Sequence, residues 1–332
     1  MKYEGGLILI AAILFALTPC FTESGFAATI VAWGDNTYGQ CNAPSGSDYM
    51  AIAAGGLHCL ALRTDGSLCS WGSNTYGQCD VPQGKNFVAI AAGGYHSLAI
   101  RSDGSLVGWG WNKFGQCDVP SGPNFVATAA GAYHSIALKS DGSLAAWGDN
   151  TYGQCNVPTG SDFVGIEASG YCSWVYRRDG SAIVFGLNEY KHQKPVDANF
   201  GAIANGGFHT IALKLDGSLA SWGWNDFRQC DVPSGRGFVA VATGGRHSIA
   251  LRCEPSTAAA SMDPYRQLGT AAALDFRTIA RGIYYRIAAL GEPTMLLLLA
   301  MAAVFLYKGP RLELKWPADN RNYRRWFSRL MP

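Results

Sequence analysis

Five histidines stand at a fixed spacing, His58, His96, His134, His209 and His247, and Cys172 fills the one gap in the series. Imidazoles at regular intervals invite a metal-site reading. The steps of 38, 38, 38, 37 and 38 residues argue against it, because they place each ring in a separate copy of one unit. Equivalent points around a rotation axis diverge instead of meeting at one tetrahedron. The expected role is a hydrogen bond to backbone between neighbouring copies. Cys41, Cys79, Cys117, Cys155 and Cys230 repeat in the same way. Equivalent points on packed sheets are about 10 Å apart, whereas a disulfide needs Cα atoms within roughly 7 Å, so free buried thiols are expected. Cys59 and Cys69 are placed on opposite faces of one hairpin and left unpaired. The aspartates of the recurring Asp-Gly pairs are explained by turn chemistry. There is no phosphate-cradling glycine loop, no paired ligand spacing and no convergence of acids or nucleophiles. The chain is therefore predicted to be no enzyme, with no catalytic residue, no metal and no cofactor.

The elements that carry these residues are copies of one unit. Its tryptophan recurs at Trp33, Trp71, Trp109 and Trp147, is replaced by Phe185 and returns at Trp222, in steps of 38, 38, 38, 38 and 37. Six units result, and a period of this length signals a solenoid, propeller or array. In the second unit, strands are predicted over Phe87–Ala92, His96–Arg101 and Ser105–Gly110. Asp103-Gly104 reads as a two-residue type I′ hairpin. That register sets Leu98 opposite Trp109, Ile100 opposite Val107 and Ala99 opposite Gly108, giving one bulky face and one nearly bare face. The Gly-, Asn- and Pro-rich remainder, WGxNxYGQCxVPxG, is predicted as the loop between copies, with an optional short fourth strand near Cys-Asp-Val. The first unit supplies only a third strand, Thr29 to Gly34, and the last only the first two, Phe238 to Ala242 and His247 to Arg252. Joined, they complete a sheet and remove exposed edges. The predicted fold is all-β: a closed β-propeller of six blades, with seven as the alternative, each three- to four-stranded, followed by a C-terminal helical, transmembrane tail.

Charge and hydropathy divide the chain further. Lys2, the apolar run Leu7 to Leu17 and the small residues Gly25 to Ala28 have the parts of a signal peptide over residues 1–28, with cleavage near Ala27 or Ala28. The repeat body covers 29–252. Residues 253–287 read as a linker with an amphipathic helix, Phe276, Ile279, Ile283, Ile287 and Leu290 falling at helical spacing. Residues 288–307 are the expected transmembrane helix. The segment 308–332 is a basic cytoplasmic tail, with seven basic residues against two acidic ones. That net of +5 leaves −3 for the rest of a chain whose total is +2, so the repeat body is not a nucleic-acid surface. The expected location is extracytoplasmic, with a single C-terminal anchor and a monomeric repeat body.

The repeated Trp-Gly-x-Asn-x-x-Gly-Gln, followed by Ala-Ala-Gly-Gly-x-His-Ser-x-Ala-Leu and Asp-Gly, resembles the repeat of the regulator of chromosome condensation family. The short, insertion-free units are similar to its bacterial branch, which includes a secreted propeller inhibitor of β-lactamases. The resemblance implies a β-propeller acting as a protein-interaction module on an unidentified protein ligand. A β-lactamase-inhibitor-like role is the alternative. A guanine nucleotide exchange activity is a lesser one, because the inserted wedge on which it depends is missing, and so is an enzyme with a central-channel site. Two sets of residues could form the binding surface. One is the aromatic of each inter-unit loop, Tyr38, Tyr76, Phe114, Tyr152, Tyr190 and Phe227, which either forms a ring on one face or packs beneath the next loop. The other is where the repeat is violated: Trp111 and Trp224 beside the loop consensus, Trp174 and Tyr176 in the fourth unit, and Lys191 and His192 in its altered loop.

Overall fold

The computed structural model describes residues 26–187 and 200–255, all within the first of two units into which the chain divides, Met1–Thr270. The linker helix, the expected span at 288–307, the basic tail, most of the signal segment, and Tyr190, Lys191 and His192 lie outside the described residues. Among the described residues no helix is long and apolar enough to cross a membrane.

Among the described residues, eighteen strands form six separate three-stranded antiparallel sheets. Blade 1 is β2 (Tyr49–Ala54), β3 (His58–Arg63) and β4 (Leu68–Gly72). Blade 2 is β5 (Phe87–Ala92), β6 (His96–Arg101) and β7 (Leu106–Gly110). Blade 3 is β8 (Phe125–Ala130), β9 (His134–Lys139) and β10 (Leu144–Gly148). Blade 4 is β11 (Phe163–Ser169), β12 (Tyr171–Arg177) and β13 (Ala182–Leu187), and blade 5 is β14 (Phe200–Asn205), β15 (His209–Lys214) and β16 (Leu219–Gly223). Blade 6 joins the two ends of the repeat body: β1 (Phe26–Gly34) lies on β18 (His247–Pro255), which pairs with β17 (Phe238–Thr243). This join is the one anticipated from the sequence. Both strands run longer than expected, Phe26 pairing with Pro255 and Ala28 with Cys253, so Ala27 and Ala28 lie within β1. Among the described residues the optional fourth strand does not form, and the Cys-Asp-Val stretch is loop.

The Asp-Gly hairpin differs from the expected one. Gly104 N donates to Arg101 O at 2.8 Å and Arg101 N to Ser105 O at 2.9 Å, with Gly104 at φ +81°. This is a three-residue loop closed by a left-handed glycine instead of a two-residue type I′ turn. Asp103 Oδ1 accepts from Ser105 N at 2.9 Å, so the aspartate favours the turn by capping it. The extra residue shifts the register by one and moves Trp109 to the other face. Trp109 pairs with Ser97, Val107 with Ala99, Gly108 with Leu98 and Leu106 with Ile100.

Neither face is bare. One face of the middle strand carries Leu98 and Ile100, and the other carries Ser97 and Ala99 beneath Trp109. The ridge of one blade fills the trough of the next: Ile100 of blade 2 clusters with Ala137, Phe125 and Trp147 of blade 3. Leu62 of blade 1 clusters in the same way with Ala99, Phe87 and Trp109 of blade 2. Each fully buried Leu or Ile contributes about 1.5–3 kcal/mol. The same shift places Cys59 opposite Trp71 and Cys69 opposite Ala61, so these two cysteines share a face, contrary to expectation; both are free.

At the Gly-Gly turns the blades approach backbone to backbone. A Cβ on Gly93 would lie 2.2 Å from the His96 ring and 2.6 Å from Gly131 O, which only glycine avoids. Hydrogen bonds join these turns pairwise: Gly56 N to Gly93 O, Gly94 N to Gly131 O, Ala132 N to Gly170 O, Gly207 N to Gly244 O and Gly245 N to Gly55 O. Between blades 4 and 5 a side chain serves instead, Ser169 Oγ donating to Gly206 O at 2.9 Å.

Candidate functional site

The histidines are turned into the seams between blades. Their partner is a side chain, not the backbone expected from the sequence. His58 Nε2 lies 2.9 Å from Ser97 Oγ, His96 Nε2 2.9 Å from Ser135 Oγ, His134 Nε2 2.8 Å from Ser173 Oγ and His209 Nε2 2.7 Å from Ser248 Oγ. Each serine hydroxyl in turn donates to a glutamine backbone carbonyl, Ser97 to Gln78 O at 2.9 Å for example. A hydroxyl that donates there must accept from the imidazole, which fixes the neutral, Nε2-protonated tautomer. The same carbonyl accepts Trp109 Nε1 at 3.0 Å. At the seam of blades 6 and 1, Cys59 stands in for serine, 3.0 Å from His247 Nε2. Burial holds His58 and His96 down at about 3, and His134, His209 and His247 at about 4. The histidines are thus structural fasteners, one to each of these seams.

The thiols behave likewise. Cys41, Cys79, Cys117, Cys155 and Cys230 are free, and desolvation pushes Cys79 up to about 11 and Cys117 up to about 12, which denies them thiolate character at neutral pH. Cys253 is disulfide-bonded, a bond the sequence reading did not anticipate.

The inter-blade loop exposes its aromatic by fixing everything around it. In the loop after blade 1, Asn74 Oδ1 accepts from Cys79 N at 2.8 Å and Asn74 Nδ2 donates to Asp80 Oδ1 at 2.8 Å. Tyr76 N donates to Oε1 of the buried Gln78 at 2.9 Å, and Gly77 turns the chain at φ +78°. The consensus Asn, Gly and Gln are consumed as internal partners, and the intervening ring is left outside. Tyr38, Tyr76, Phe114 and Tyr152 are 52%, 49%, 43% and 49% exposed.

These rings do not stand alone. The residue between Gly-Gly and His sits at the same end of the blades and contributes Tyr95, Tyr133 and Tyr171. Tyr76 packs on Tyr95 at 5.5 Å and on Trp111 at 5.9 Å. Tyr95 stacks on Tyr133 at 6.3 Å and 18°. Trp111 meets Phe114 at 5.4 Å and Tyr133 at 5.2 Å, Tyr133 meets Tyr171 at 5.7 Å, and Tyr171 meets Tyr152 at 5.4 Å. Seven rings thus form one continuous cluster across the loops of blades 1 to 4. A second cluster, Phe208, Trp224 and Phe227, has ring separations of 5.3 and 5.2 Å. The Arg246 guanidinium lies over it, 4.7 Å from Phe227 and 5.7 Å from Trp224.

Of the residues singled out from the sequence, Tyr76, Trp111, Phe114 and Tyr152 come together in the larger cluster, and Trp224 and Phe227 in the smaller. Tyr38 shares the same end of the blades. Trp174 and Tyr176 do not join them: they lie on β12, opposite Glu167 or Val184 and Gly165 or Ala182, on the sheet face directed at the seam with blade 5. Tyr176 is hydrogen-bonded to Glu167, and burial and that carboxylate raise its pKa. Sequence reasoning missed Tyr95, Tyr133, Tyr171, Phe208 and Arg246. Their signal was the same fixed period, read one residue before each histidine position.

Among known families, the regulator of chromosome condensation (RCC1) repeat matches residues 51–78, 87–116, 125–154 and 202–229. These are blades 1, 2, 3 and 5 with their loops. No curated protein matches the chain. Among solved structures, the ectodomain of the Physcomitrella patens receptor kinase CR4 is 19% identical, with a TM-score of 0.51, over 70% of this chain and 73% of that one. Prp20p of Saccharomyces cerevisiae, described with its binding to Gsp1p and histones, is 16% identical with a TM-score of 0.47, over 71% of this chain and 93% of its own. The CRINKLY ectodomain of the Arabidopsis thaliana receptor kinase ACR4 is 20% identical with a TM-score of 0.48, over 70% and 98%. Four of the six units thus match the RCC1 repeat, and all six fold as the same three-stranded blade.

Proposed function

We propose that the protein is a non-enzymatic interaction module that binds a protein partner with the loop end of its blades. The carrying observation is the continuous seven-ring cluster, whose outer members are about half exposed. Rigid aromatic side chains clustered on one surface make interface anchors, because they bury much area at little cost in side-chain freedom. The loops that hold them are braced internally, so the surface is preformed. The six blades form a closed propeller in this reading, supported by the joint sheet of β1, β18 and β17 and by the pairwise bonds at the Gly-Gly turns. Export by the N-terminal segment and tethering by residues 288–307 belong to the same proposal and rest on the sequence. Protease accessibility of the repeat body on intact cells tests them.

The binding surface is tested by cross-linking capture with the full-length chain and with a Tyr76→Ala, Tyr152→Ala variant. Both rings are exposed, so the melting temperature should hold while partner capture is lost. Undiminished capture by the variant would sink the proposal.

A further inference from the structure

The larger aromatic cluster carries features that specify the chemistry of what it binds. Its loops, residues 73–80, 111–118 and 149–156, hold Asp80, Asp118 and Asp149 against Lys113, a net of −2. Asp80 and Asp118 are exposed and pinned, their carboxylates accepting from Asn74 Nδ2 at 2.8 Å and Asn112 Nδ2 at 2.7 Å. Asp149 lies beneath the rings at 9% exposure. It is held by Thr151 N at 3.0 Å and Gln154 Nε2 at 3.1 Å, and its charge is close enough to raise the Tyr133 hydroxyl's pKa, after burial and Tyr171. A negative potential thus adds to the negative faces of the rings, and both attract a cation.

The molecule already contains an example of such an occupant. Trp224 and Phe227 stand at 5.2 Å and 78°, nearly the arrangement of Trp111 and Phe114 at 5.4 Å and 88°, and the former pair takes the guanidinium of Arg246. In the larger cluster the equivalent position is Tyr133, and among the described residues no cation lies over the rings of Tyr76, Trp111, Phe114 or Tyr152.

We infer that the rings around Tyr76, Trp111, Phe114 and Tyr152 receive arginine or lysine side chains of a protein partner. This rests on the interaction role proposed above and names the partner's chemistry: a segment with basic side chains spaced to reach rings about 5–6 Å apart. Acidic partners are disfavoured by Asp80, Asp118 and the buried Asp149.

The test uses the full-length chain and three short amidated peptides of equal length, arginine-glycine, leucine-glycine and glutamate-glycine, followed by titration calorimetry. The arginine peptide should bind saturably and the other two at least tenfold more weakly. Tyr76→Leu with Tyr152→Leu should weaken arginine-peptide binding about tenfold, while Phe at both positions keeps it within about twofold, since the ring face and not the hydroxyl is used. Asp141→Asn, at the opposite end of the blades, should leave it unchanged. Equal binding of the glutamate peptide, no binding of any peptide, or unchanged binding by the double-Leu variant overturns the inference. A partner whose capture needs Tyr76 and Tyr152, yet survives exchange of its basic residues for leucine, would leave the interaction role standing and refute only the cation preference.

Discussion

Serine and cysteine are interchanged at one point of a repeated fastener, and the chemistry of that point follows. In four seams a hydroxyl accepts from an imidazole Nε2 and donates to a glutamine carbonyl; at the seam of blades 6 and 1 the Cys59 thiol does so, with Sγ 3.5 Å from Gln40 O. Replacing Ser97 by Ala leaves a buried N–H of His58 without an acceptor, and should cost about 1–3 kcal/mol in denaturant unfolding. Cys59→Ser should leave stability within about 1 kcal/mol of the parent or raise it, since a hydroxyl makes the stronger bonds. The five buried histidines also set an acid limit. Their folded pKa values, about 3 to 4, lie below the ordinary 6.5, so the unfolded chain takes up protons first as the pH falls. Their stability contribution is complete above pH 6.5 and is lost as the pH falls from there toward 4 and then 3. A melting temperature that is flat between pH 7 and pH 4.5 would contradict this. The turn aspartates, with pKa values lowered from the ordinary 3.8, add their loss as the pH falls through that value toward their own lower ones.

Among the elements, the seam between blades 4 and 5 is unlike the rest. Cys172 replaces the histidine, and Thr210 replaces the serine and bonds Asn205 Oδ1 at 3.2 Å within its own blade. Apolar clusters bridge the seams of blades 1 and 2, 2 and 3, 3 and 4, 5 and 6, and 6 and 1, but none among the described residues bridges 4 and 5. Phe200 is only half-buried, whereas Phe87, Phe125, Phe163 and Phe238 are at most 3% exposed. A Cβ on Gly170 would meet nothing within 4 Å, while one on Gly94 would lie 2.6 Å from Ala132 O. Local opening draws on such weakly packed places. Cys172 and Cys59 are both buried, at 2% and 0%, yet Cys172 should react with iodoacetamide several-fold faster; equal rates would show the seam to be as tight as the others. The hairpin turn is the second element worth breaking. Gly104→Ala forces a side chain into φ +81° and within 2.8 Å of Asn124 N, and should cost about 1–2 kcal/mol or more.

At the scale of the molecule, stability depends on the joint sheet. β1 supplies the outer strand of blade 6, and Ile30, Val31 and Trp33 pack into the clusters on its two sides. Trp33 Nε1 also donates to Gln229 O at 2.9 Å, across 196 residues of sequence. Deleting residues 26–34 should therefore lower the melting temperature of the whole repeat body. A variant that melts as the parent does would refute both the structural role of β1 and the closed propeller.

The fixed period, carried by the Trp and His positions, determined by itself the number of units, the strand positions to within three residues, and the pairing of the first strand with the last two. These follow from local propensity and from the need to remove sheet edges. The exposure of the loop aromatics was left open between two packings and was decided by Asn and Gln side chains that close each loop from within. The hairpin register was misjudged because Asp-Gly suits both a two-residue and a three-residue loop, and only the packing of Leu98 and Ile100 into the Ser-Ala trough of the next blade selects the latter. The convergence of Tyr76, Trp111, Phe114, Tyr133 and Tyr152 into one cluster belongs to the tertiary structure. Rings about 38 residues apart in the chain become neighbours only because successive blades stack on one another.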